Sequence, residues 1–416
     1  MNTEKRNVIL YILTEALRLS AFVLSAEAIL QTFLYSIGFT QNQIYIQSIA
    51  YQALSSLVVL VGSHFADKGN VFKRAMFTML VTAASTLIFL PLCFSSGIGA
   101  LEMVLMLAAT AGISMMLSLH TVCLYKIPYY IFSPSTYGPA TAVCGILGSG
   151  LSFVIGSVMT ALAAYFEYRD IMIVALIVSA GLSVLSGVVN LGMKPVETAM
   201  VRDIETEEKS SVGIKELFTH HTFYSLLPGH TLRGVAMGTL SVLAVIGSDY
   251  LGYPEEITTA MVSVSGVAVV LSCVLYGATA RILPSRVVIA IGSLSFLLMP
   301  LLLIPSSPIL FLAVYGIVMF GRTLVDYAVP TEMLYVVPSK MAGPYNAWRL
   351  SMQAVGTLAS TAIALFIPTP AFVILAVVAQ LIAGGNFFFA KVMKRGAHGK
   401  NEILNEEQSE IPAENS

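Results

Sequence analysis

The chain has 416 residues, of which 56% are hydrophobic and only 11% are charged, and its formal net charge is −1. A soluble protein of this composition could not cover its apolar residues, because too few charged side chains remain for the surface. The composition therefore excludes a soluble globular protein and predicts one that is embedded in a membrane. It gives no indication of a nucleic-acid partner, and we expect none.

Long apolar segments recur along the whole chain. A membrane-spanning helix needs roughly 20 predominantly apolar residues, and twelve segments approach or exceed this length. In chain order they are Val8–Leu34, Ile44–Phe65, Ala75–Phe94, Leu101–Tyr125, Pro139–Phe166, Ile171–Met193, Thr222–Ser248, Ile257–Ala280, Val287–Ile304, Ile309–Leu334, Pro344–Ile367 and Ala371–Val392. The predicted fold class is an all-α polytopic membrane protein with twelve transmembrane helices.

The basic residues are distributed unevenly between the gaps. Of the 22 lysine and arginine residues, Arg18, Arg233, Arg322 and Arg349 lie inside segments, and Arg169 lies in one set of alternate gaps. Lys391 is the last residue but one of the final segment, and all the others lie in the second set of gaps, which includes both ends of the chain. Because cytoplasmic loops carry the excess of Lys and Arg, we expect a multi-pass protein of the cytoplasmic (inner) cell membrane with both termini in the cytoplasm.

The first segment carries three ionisable residues, Glu15, Arg18 and Glu27. A charge at the bilayer centre costs about 2.5–3.5 kcal/mol on insertion scales, so we expect none of them to face lipid. Glu27 follows Arg18 by nine residues, which puts the two on opposite sides of a helix. A carboxylate without a partner in a low dielectric tends to hold its proton at neutral pH, as a proton carrier must. Alternatively, Glu27 is a hydrogen-bonded structural residue one turn from Gln31.

The polar stretch from Lys194 to His221 divides the segments into two sets of six. The sets are related, since Thr14–Arg18 corresponds to Gly229–Arg233, and Pro134–Pro139 corresponds to Pro338–Pro344. We therefore predict an N-terminal six-helix bundle (1–193), a cytoplasmic central loop (194–221), a C-terminal six-helix bundle (222–395) and a disordered acidic tail (396–416). In such a duplication, a central cavity is expected between the halves near the bilayer midplane.

The loop between the second and third segments reads Gly62, then Asp67-Lys68-Gly69, then Lys73-Arg74. It resembles the signature loop of the major facilitator superfamily, although each glycine is displaced by one residue from that pattern. Its counterpart, Gly277–Arg281, keeps a glycine and a base but lacks the acid. Together with the duplicated set of twelve segments, the loop makes the chain similar to this superfamily from residue 7 to 395.

The resemblance implies a secondary transporter that works by alternating access. By the same resemblance, Asp67, Lys68 and Arg74 help to hold the two halves together in one of the alternating states. The alternative is that these three residues only anchor the loop on the cytoplasmic side.

Three arginines inside the segments are candidate substrate ligands: Arg18, Arg233 and Arg322. The duplication gives Arg18 and Arg233 equivalent depths, and two guanidiniums that face one cavity suit a carboxylate or phosphate. The superfamily's phosphate and organophosphate exchangers are similar in carrying an arginine in the first and seventh helices. The alternative is that Arg18 pairs with Glu15, and Arg233 with another helix, as structural bridges.

Further titratable residues are candidates for proton coupling beside Glu27. Glu15 and His230 occupy matching places in the two halves, and Asp326 follows Arg322 by four residues on one helix face. Asp326 and Arg322 therefore form either a neutralised buried pair or a pair that opens when substrate or a proton arrives.

The sequence leaves three functions open. The leading one is a secondary transporter of a small organic anion, coupled to protons or a counter-anion and acting as a monomer in the bilayer. A drug/proton exporter of the same superfamily is the second, although Gly145–Gly156 lacks the proline of the exporter signature. A non-transporting membrane sensor is the third. There is no phosphate-binding glycine loop, nucleophile elbow or metal-binding motif, so we expect no enzyme activity, no cofactor and no metal.

Overall fold

The computed structural model describes residues 3–25, 27–62, 65, 70–95, 97–132, 134–196, 224–279, 283–304, 307–336 and 339–390. In these ranges all the regular secondary structure is helical. It forms twelve helices, some of them continued by a second helical stretch, and each matches one of the twelve predicted segments. The central loop from residue 197 onward and the predicted tail lie outside these ranges, so the domain boundaries stay a prediction.

The first half of the chain forms six helices. They are α1 (Thr3–Ser25, continued by Glu27–Ser36), α2 (Gln41–Gly62), α3 (Val71–Leu87, extended by the 3₁₀ turn Leu90–Phe94), α4 (Ala100–Ile131), α5 (Pro134–Ala163) and α6 (Tyr168–Asn190). Polar side chains cap the N-termini of two of these helices. The Asn70 side chain accepts hydrogen bonds from the backbone N–H groups of Phe72 and Lys73 at the start of α3. Glu102 accepts one from Gly99 at the start of α4, 2.8 Å away. Both satisfy N–H groups that a helix start leaves without partners.

The second half repeats this order. Its helices are α7 (Leu227–Leu240, then Leu243–Val245 and the π-helical Ile246–Tyr250), α8 (Glu255–Thr279), α9 (Ser285–Leu294, extended by the 3₁₀ stretch Ser295–Leu303), α10 (Pro308–Val336), α11 (Ser339–Ala364) and α12 (Thr369–Phe389). Glycines with positive φ follow the first helix of each half, Gly38 at 104° and Gly252 at 67°. Both turns need a backbone conformation that side chains disfavour.

The two halves pack their helices in the same pattern. In the first half α1 contacts α5 and α6, α3 contacts α4 and α6, and α2 contacts α4. The equivalent pairs in the second half are α7 with α11 and α12, α9 with α10 and α12, and α8 with α10. Between the halves, α5 packs on α8 and α11 packs on α2, which a two-fold axis would exchange. The predicted pair of pseudo-symmetric six-helix bundles is therefore confirmed.

Helix α6 shows how the surface is arranged for lipid. Its inner face mixes apolar side chains with serines: the hydroxyl of Ser179 donates to the Ala21 carbonyl and that of Ser186 donates to the Thr14 carbonyl, at 2.7 and 3.1 Å. Its outer face exposes large apolar side chains, Val174, Ile177, Leu185 and Val188. An apolar exterior with hydrogen bonds between helices in the interior suits a bilayer.

Ten of the twelve helices are long and apolar enough to cross a membrane, counting only the part of the chain that the structure describes. The two that fall below this threshold are α2 and α11. These two helices pack against each other between the halves, so the face that each turns to the other is shielded from lipid. Their composition points to the centre of the molecule as the place where polarity is needed.

Close packing between α7 and α11 depends on two glycines. A Cβ at Gly234 would overlap the backbone carbonyl of Gln353, and a Cβ at Gly356 would overlap that of Thr231. The Thr357 hydroxyl also donates to the Gly234 carbonyl at 2.9 Å. Small residues at such crossings let membrane helices approach closely.

We expect Gly234→Ala to lower the free energy of unfolding by about 1–3 kcal/mol, because the added methyl group must push two backbones apart. Thermal unfolding of the purified protein in detergent measures the effect. Gly385→Ala on α12 is the control, since its Cβ would have no heavy atom within 4 Å and alanine favours a helix over glycine. Equal unfolding temperatures for the two variants would contradict the packing argument.

Candidate functional site

A cavity of about 300 Å³ lies between the two halves. Seven helices contribute to it: α1, α2 and α4 from the first half, and α7, α8, α10 and α11 from the second. The lining residues are Gln31, Gln52, Ser55, Ser56, Val59, Ser118, Thr121, Met237, Leu240, Ser241, Ala244, Met261, Tyr315, Arg322, Leu350, Gln353, Ala354 and Thr357. The duplication thus places a cavity where the sequence predicts one.

Amides and hydroxyls dominate the polar lining, and α2 and α11 supply many of them. Gln52 and Ser55 come from α2, and Gln353 and Thr357 come from α11. This explains why these two helices are less apolar than the other ten. These residues were not predicted from the sequence, although it contains a signal: Gln41, Gln43, Gln47 and Gln52 all lie on α2. A helix that faces lipid would not tolerate so many amides.

Among the described lining residues, Arg322 alone carries a charge. It lies in the middle of α10, and 32% of its side chain is exposed. Its Nε lies 3.5 Å from Oδ2 of Asp326, one turn further along the same helix. The predicted pairing of these two residues is therefore present, and the arginine nevertheless reaches the cavity.

Asp326 is shared between two arginines. Its Oδ1 also accepts a hydrogen bond from Nη2 of Arg233, whose side chain is only 4% exposed. Arg233 is absent from the described lining of the cavity. Two guanidiniums and one carboxylate leave this cluster with one net positive charge, and the Asp326 side chain is 39% exposed.

Arg18 of α1 forms an ion pair with Glu15, one turn earlier on the same helix. Its Nε donates to Oε1 at 3.1 Å and its Nη2 donates to Oε2 at 2.8 Å. Both side chains are mostly buried, at 18% and 11% exposure. The two forked contacts satisfy both groups in the geometry that guanidinium and carboxylate prefer, and the pair is neutral as a whole.

The equivalent arginines therefore find different kinds of partner. At the position that corresponds to Glu15 the second half has His230, so Arg233 has no acid one turn earlier on its helix and binds Asp326 of α10 instead. Neither Arg18 nor Arg233 belongs to the described residues that line the cavity. Arg18 pairs with Glu15 and Arg233 pairs with another helix, as expected if both arginines form structural ion pairs. A direct contact of either arginine with substrate stays a prediction.

His230 lies within an aromatic cluster and is 1% exposed. Its Nε2 lies 3.1 Å from the Tyr345 hydroxyl, and the rings of Trp348 and Phe387 meet it edge-on, with centroids 5.7 and 5.1 Å away. A histidine enclosed by rings is well placed to anchor α7 to α11 and α12. Its role in proton coupling stays a prediction.

The other predicted site residues are less fully described. The Arg74 guanidinium lies over the Phe65 ring, 4.9 Å from its centroid, at the start of α3. Asp67 and Lys68 lie outside the described residues, as does the side chain of Glu27, whose backbone begins the second segment of α1. The predicted roles of these four residues in coupling and conformational change stay predictions.

One end of the molecule, here called the basic side, carries Lys5, Arg6, Lys73, Arg74, Lys194 and Arg286 at its helix ends. At the other end, here called the opposite side, the two halves are joined. Nε2 of Gln31 donates to the Ser241 carbonyl at 2.6 Å, and the Tyr35 hydroxyl donates to Asp249 at 3.1 Å. Apolar contacts support this closure.

Two apolar side chains cross between the halves at the opposite side. Tyr45 of α2 packs in a core cluster of the second half, and Val245 of α7 packs in a core cluster of the first. Towards the basic side, the cavity lining extends to Val59, three residues from the end of α2. The cavity is thus closed at the opposite side and extends towards the basic side.

Comparison with known families agrees with this architecture. The family model described as the Major Facilitator Superfamily matches residues 10–361, which is more than half of the chain. No curated protein matches the chain in a sequence comparison. The chain therefore belongs to the major facilitator superfamily, and it is a multi-pass membrane protein and a secondary transporter of that superfamily.

Proposed function

We propose that the protein moves a small organic anion across the cytoplasmic membrane by alternating access, with proton or anion coupling. The observation that carries this proposal is the partly exposed guanidinium of Arg322 in a central cavity whose other described lining residues are uncharged. A guanidinium offers a planar set of donors that suits a carboxylate or phosphate oxygen pair. The surrounding amides and hydroxyls suit the uncharged polar atoms of such a substrate.

The charged residues near the cavity also favour a negatively charged substrate. Arg233, Arg322 and Asp326 together leave one positive charge, while Glu15 and Arg18 cancel each other. Low-dielectric walls strengthen the attraction between a positively charged cluster beside a cavity and an anionic substrate. An exporter of cationic drugs would need an excess of acidic side chains at the cavity. These residues therefore give no support to the exporter hypothesis.

The size of the cavity supports a small substrate. Its volume of about 300 Å³ lies at the lower end of the range of ligand pockets, which is about 300–1,000 Å³. A carboxylate or phosphate ester of a few carbon atoms fits this volume. An extended amphipathic drug would need the cavity to widen.

The orientation follows from the charges at the helix ends. We assign the basic side to the cytoplasm because loops rich in Lys and Arg stay inside, which makes the described conformation open inward and closed outward. For coupling, Glu27 is the leading proton site, and Glu15 and His230 are the next. Asp326 would act with Arg322 as a pair that opens when substrate or a proton arrives. Asp67, Lys68 and Arg74 would then stabilise one state from the cytoplasmic side. We assign no further partner and expect a monomer.

We expect Arg322→Gln to reduce uptake of labelled carboxylates and phosphate esters into proteoliposomes by at least about a hundredfold. Loss of a charge-assisted pair of hydrogen bonds in a buried site costs on the order of 3 kcal/mol. Arg169→Gln is the matched control, because that arginine is exposed at the opposite side and donates to the Ser95 carbonyl. Wild-type uptake by Arg322→Gln would remove the anion assignment.

A second prediction concerns the shared carboxylate. Asp326→Asn leaves the buried Arg233 without its ionic partner, so we expect the free energy of unfolding to fall by about 2 kcal/mol or more. Adding Arg233→Gln should recover most of this loss, since no buried charge then remains unpaired at that place. Thermal unfolding in detergent gives the stabilities, and proteoliposome uptake gives the activity.

The two readouts separate structure from function in this pair. If the network serves transport, the double variant is stable but inactive. A double variant that is as unstable as Asp326→Asn alone would show that Arg233 and Asp326 do not depend on each other.

For Glu27, the expected effect is on coupling alone. In Glu27→Gln the side chain no longer exchanges a proton, so a pH gradient should cease to drive accumulation while exchange of internal for external substrate continues. Glu4→Gln, at the start of α1 on the basic side, is the control. Accumulation that still follows the pH gradient in Glu27→Gln would rule out this residue as the proton carrier.

A further inference from the structure

Arg349 is the fourth arginine within the predicted membrane segments, and it lies on α11. It follows the first residue of that helix by ten positions, which is about 15 Å along the axis. Leu350, the next residue, and Gln353, one turn further, both line the central cavity. Because α11 begins at the basic side, Arg349 lies about one turn beyond the cavity lining, in the direction towards which the cavity extends.

The helix geometry determines the direction in which Arg349 projects. At about 100° per residue, it lies within about 40° of Gln353 on one side and within about 20° of Gly356 on the other. Gln353 lines the cavity, and Gly356 packs against the backbone of α7. In agreement, the charge of Arg349 acts on two residues of α7, Arg233 and His230. Arg349 therefore projects between the cavity and α7, at the basic-side mouth of the cavity.

No described acid neutralises Arg349. The acid of the neighbouring cluster, Asp326, is bound by Arg233 and Arg322. Arg349 is half-buried and makes no hydrogen bond or ion pair with a described residue. Of its guanidinium nitrogens, only Nε is enclosed without a partner, so the terminal Nη1 and Nη2 keep accessible surface. A cation at this depth without an acid is unfavourable, and an anion that reaches Nη1 and Nη2 would supply the missing acceptors.

We infer that Arg349 forms a second anion-binding site, at the basic-side mouth of the central cavity, which the substrate occupies in turn with Arg322 on its way to or from the cytoplasm. The inference rests on the proposed function, because it assumes an anionic substrate. The two terminal nitrogens suit a carboxylate or phosphate, and the net positive charge of Arg233, Arg322 and Asp326 lies nearby. The phosphate of a lipid headgroup has the same chemistry, and the experiment distinguishes the two sources.

Binding is tested without the central site, in purified Arg322→Gln in detergent. At constant ionic strength, set with potassium chloride, inorganic phosphate or succinate should still raise its unfolding temperature, because a ligand of the folded state stabilises it. Adding Arg349→Gln should abolish this rise. Arg286→Gln is the matched control in the same background, since Arg286 is also half-buried at the basic side but lies over the Phe388 ring on α9, away from the described cavity lining. A rise that persists without Arg349, or that Arg286→Gln also abolishes, would overturn the site.

The single variant Arg349→Gln separates this site from a structural ion pair. Without added anion, its unfolding temperature should equal or exceed that of the wild-type protein, because no described partner is lost and the repulsion of Arg233 is relieved. A structural arginine would instead leave its partner unpaired, and a lower unfolding temperature would contradict the inference.

Transport supplies a readout that depends on charge. In proteoliposomes of phosphatidylcholine, which has no net charge, Arg349→Gln should reduce the flux of labelled anions at low concentration about tenfold, since a positive mouth raises the rate of anion encounter. The difference should shrink to about twofold near 1 M salt, where the screening length is about 3 Å. At saturating concentration the rates should agree within about twofold, whereas Arg322→Gln stays impaired at every concentration.

The remaining outcomes distinguish the mouth site from the proposed function. If the wild-type protein transports none of the anions, the organic-anion function fails and the inference fails with it. If it transports them and Arg349→Gln has wild-type flux at low concentration, the mouth site alone is wrong. If anionic phosphatidylglycerol, but neither phosphate nor succinate, stabilises Arg322→Gln through Arg349, the arginine binds a lipid headgroup and the substrate site is wrong.

Discussion

The cost of burying a charge in a low-dielectric interior constrains this structure more than any other single effect. A lone guanidinium inside the bilayer is expensive, and the arginines in the two helices that begin the halves each find a carboxylate. Arg18 uses Glu15 on its own helix, and Arg233 uses Asp326 on α10. A third arginine, Arg322, shares Asp326 and also reaches the central cavity. Among these residues, one acid balances one base in the first half, whereas two arginines share one acid in the second.

This inequality between the halves follows from one pair of equivalent positions. Glu15 lies where the second half has His230, and the histidine is enclosed by Tyr345, Trp348 and Phe387 instead of pairing with an arginine. Arg233 is thereby forced to find its partner on another helix. A duplicated scaffold with equal halves becomes electrostatically unequal, and the excess charge lies beside the cavity that both halves build.

The sequence predicted the number of helices, their order and the duplication, because apolar length and the distribution of basic residues are local signals. It offered the contact of Glu15 with Arg18 as the alternative to substrate binding, and it placed Arg322 and Asp326 on one helix face, since three- and four-residue spacings bring side chains together. It could not predict that Arg233 meets Asp326, 93 positions away, because that depends on how α7 and α10 rotate against each other. The cavity residues Gln52, Gln353 and Thr357 were missed because amides and hydroxyls carry no charge to mark them.

The contacts between the halves differ in how easily they can be broken. At the opposite side, neutral hydrogen bonds such as Gln31 to Ser241, and single apolar side chains such as Tyr45, join the halves. Along α5 and α8 the backbones themselves touch, since a Cβ at Gly156 would lie 2.6 Å from the Ser263 nitrogen. Contacts worth about 1 kcal/mol each can open and close repeatedly, whereas a close-packed backbone crossing resists separation. Under alternating access, the closure at the opposite side should therefore open while the crossing of α5 with α8 persists as the region about which the halves rotate.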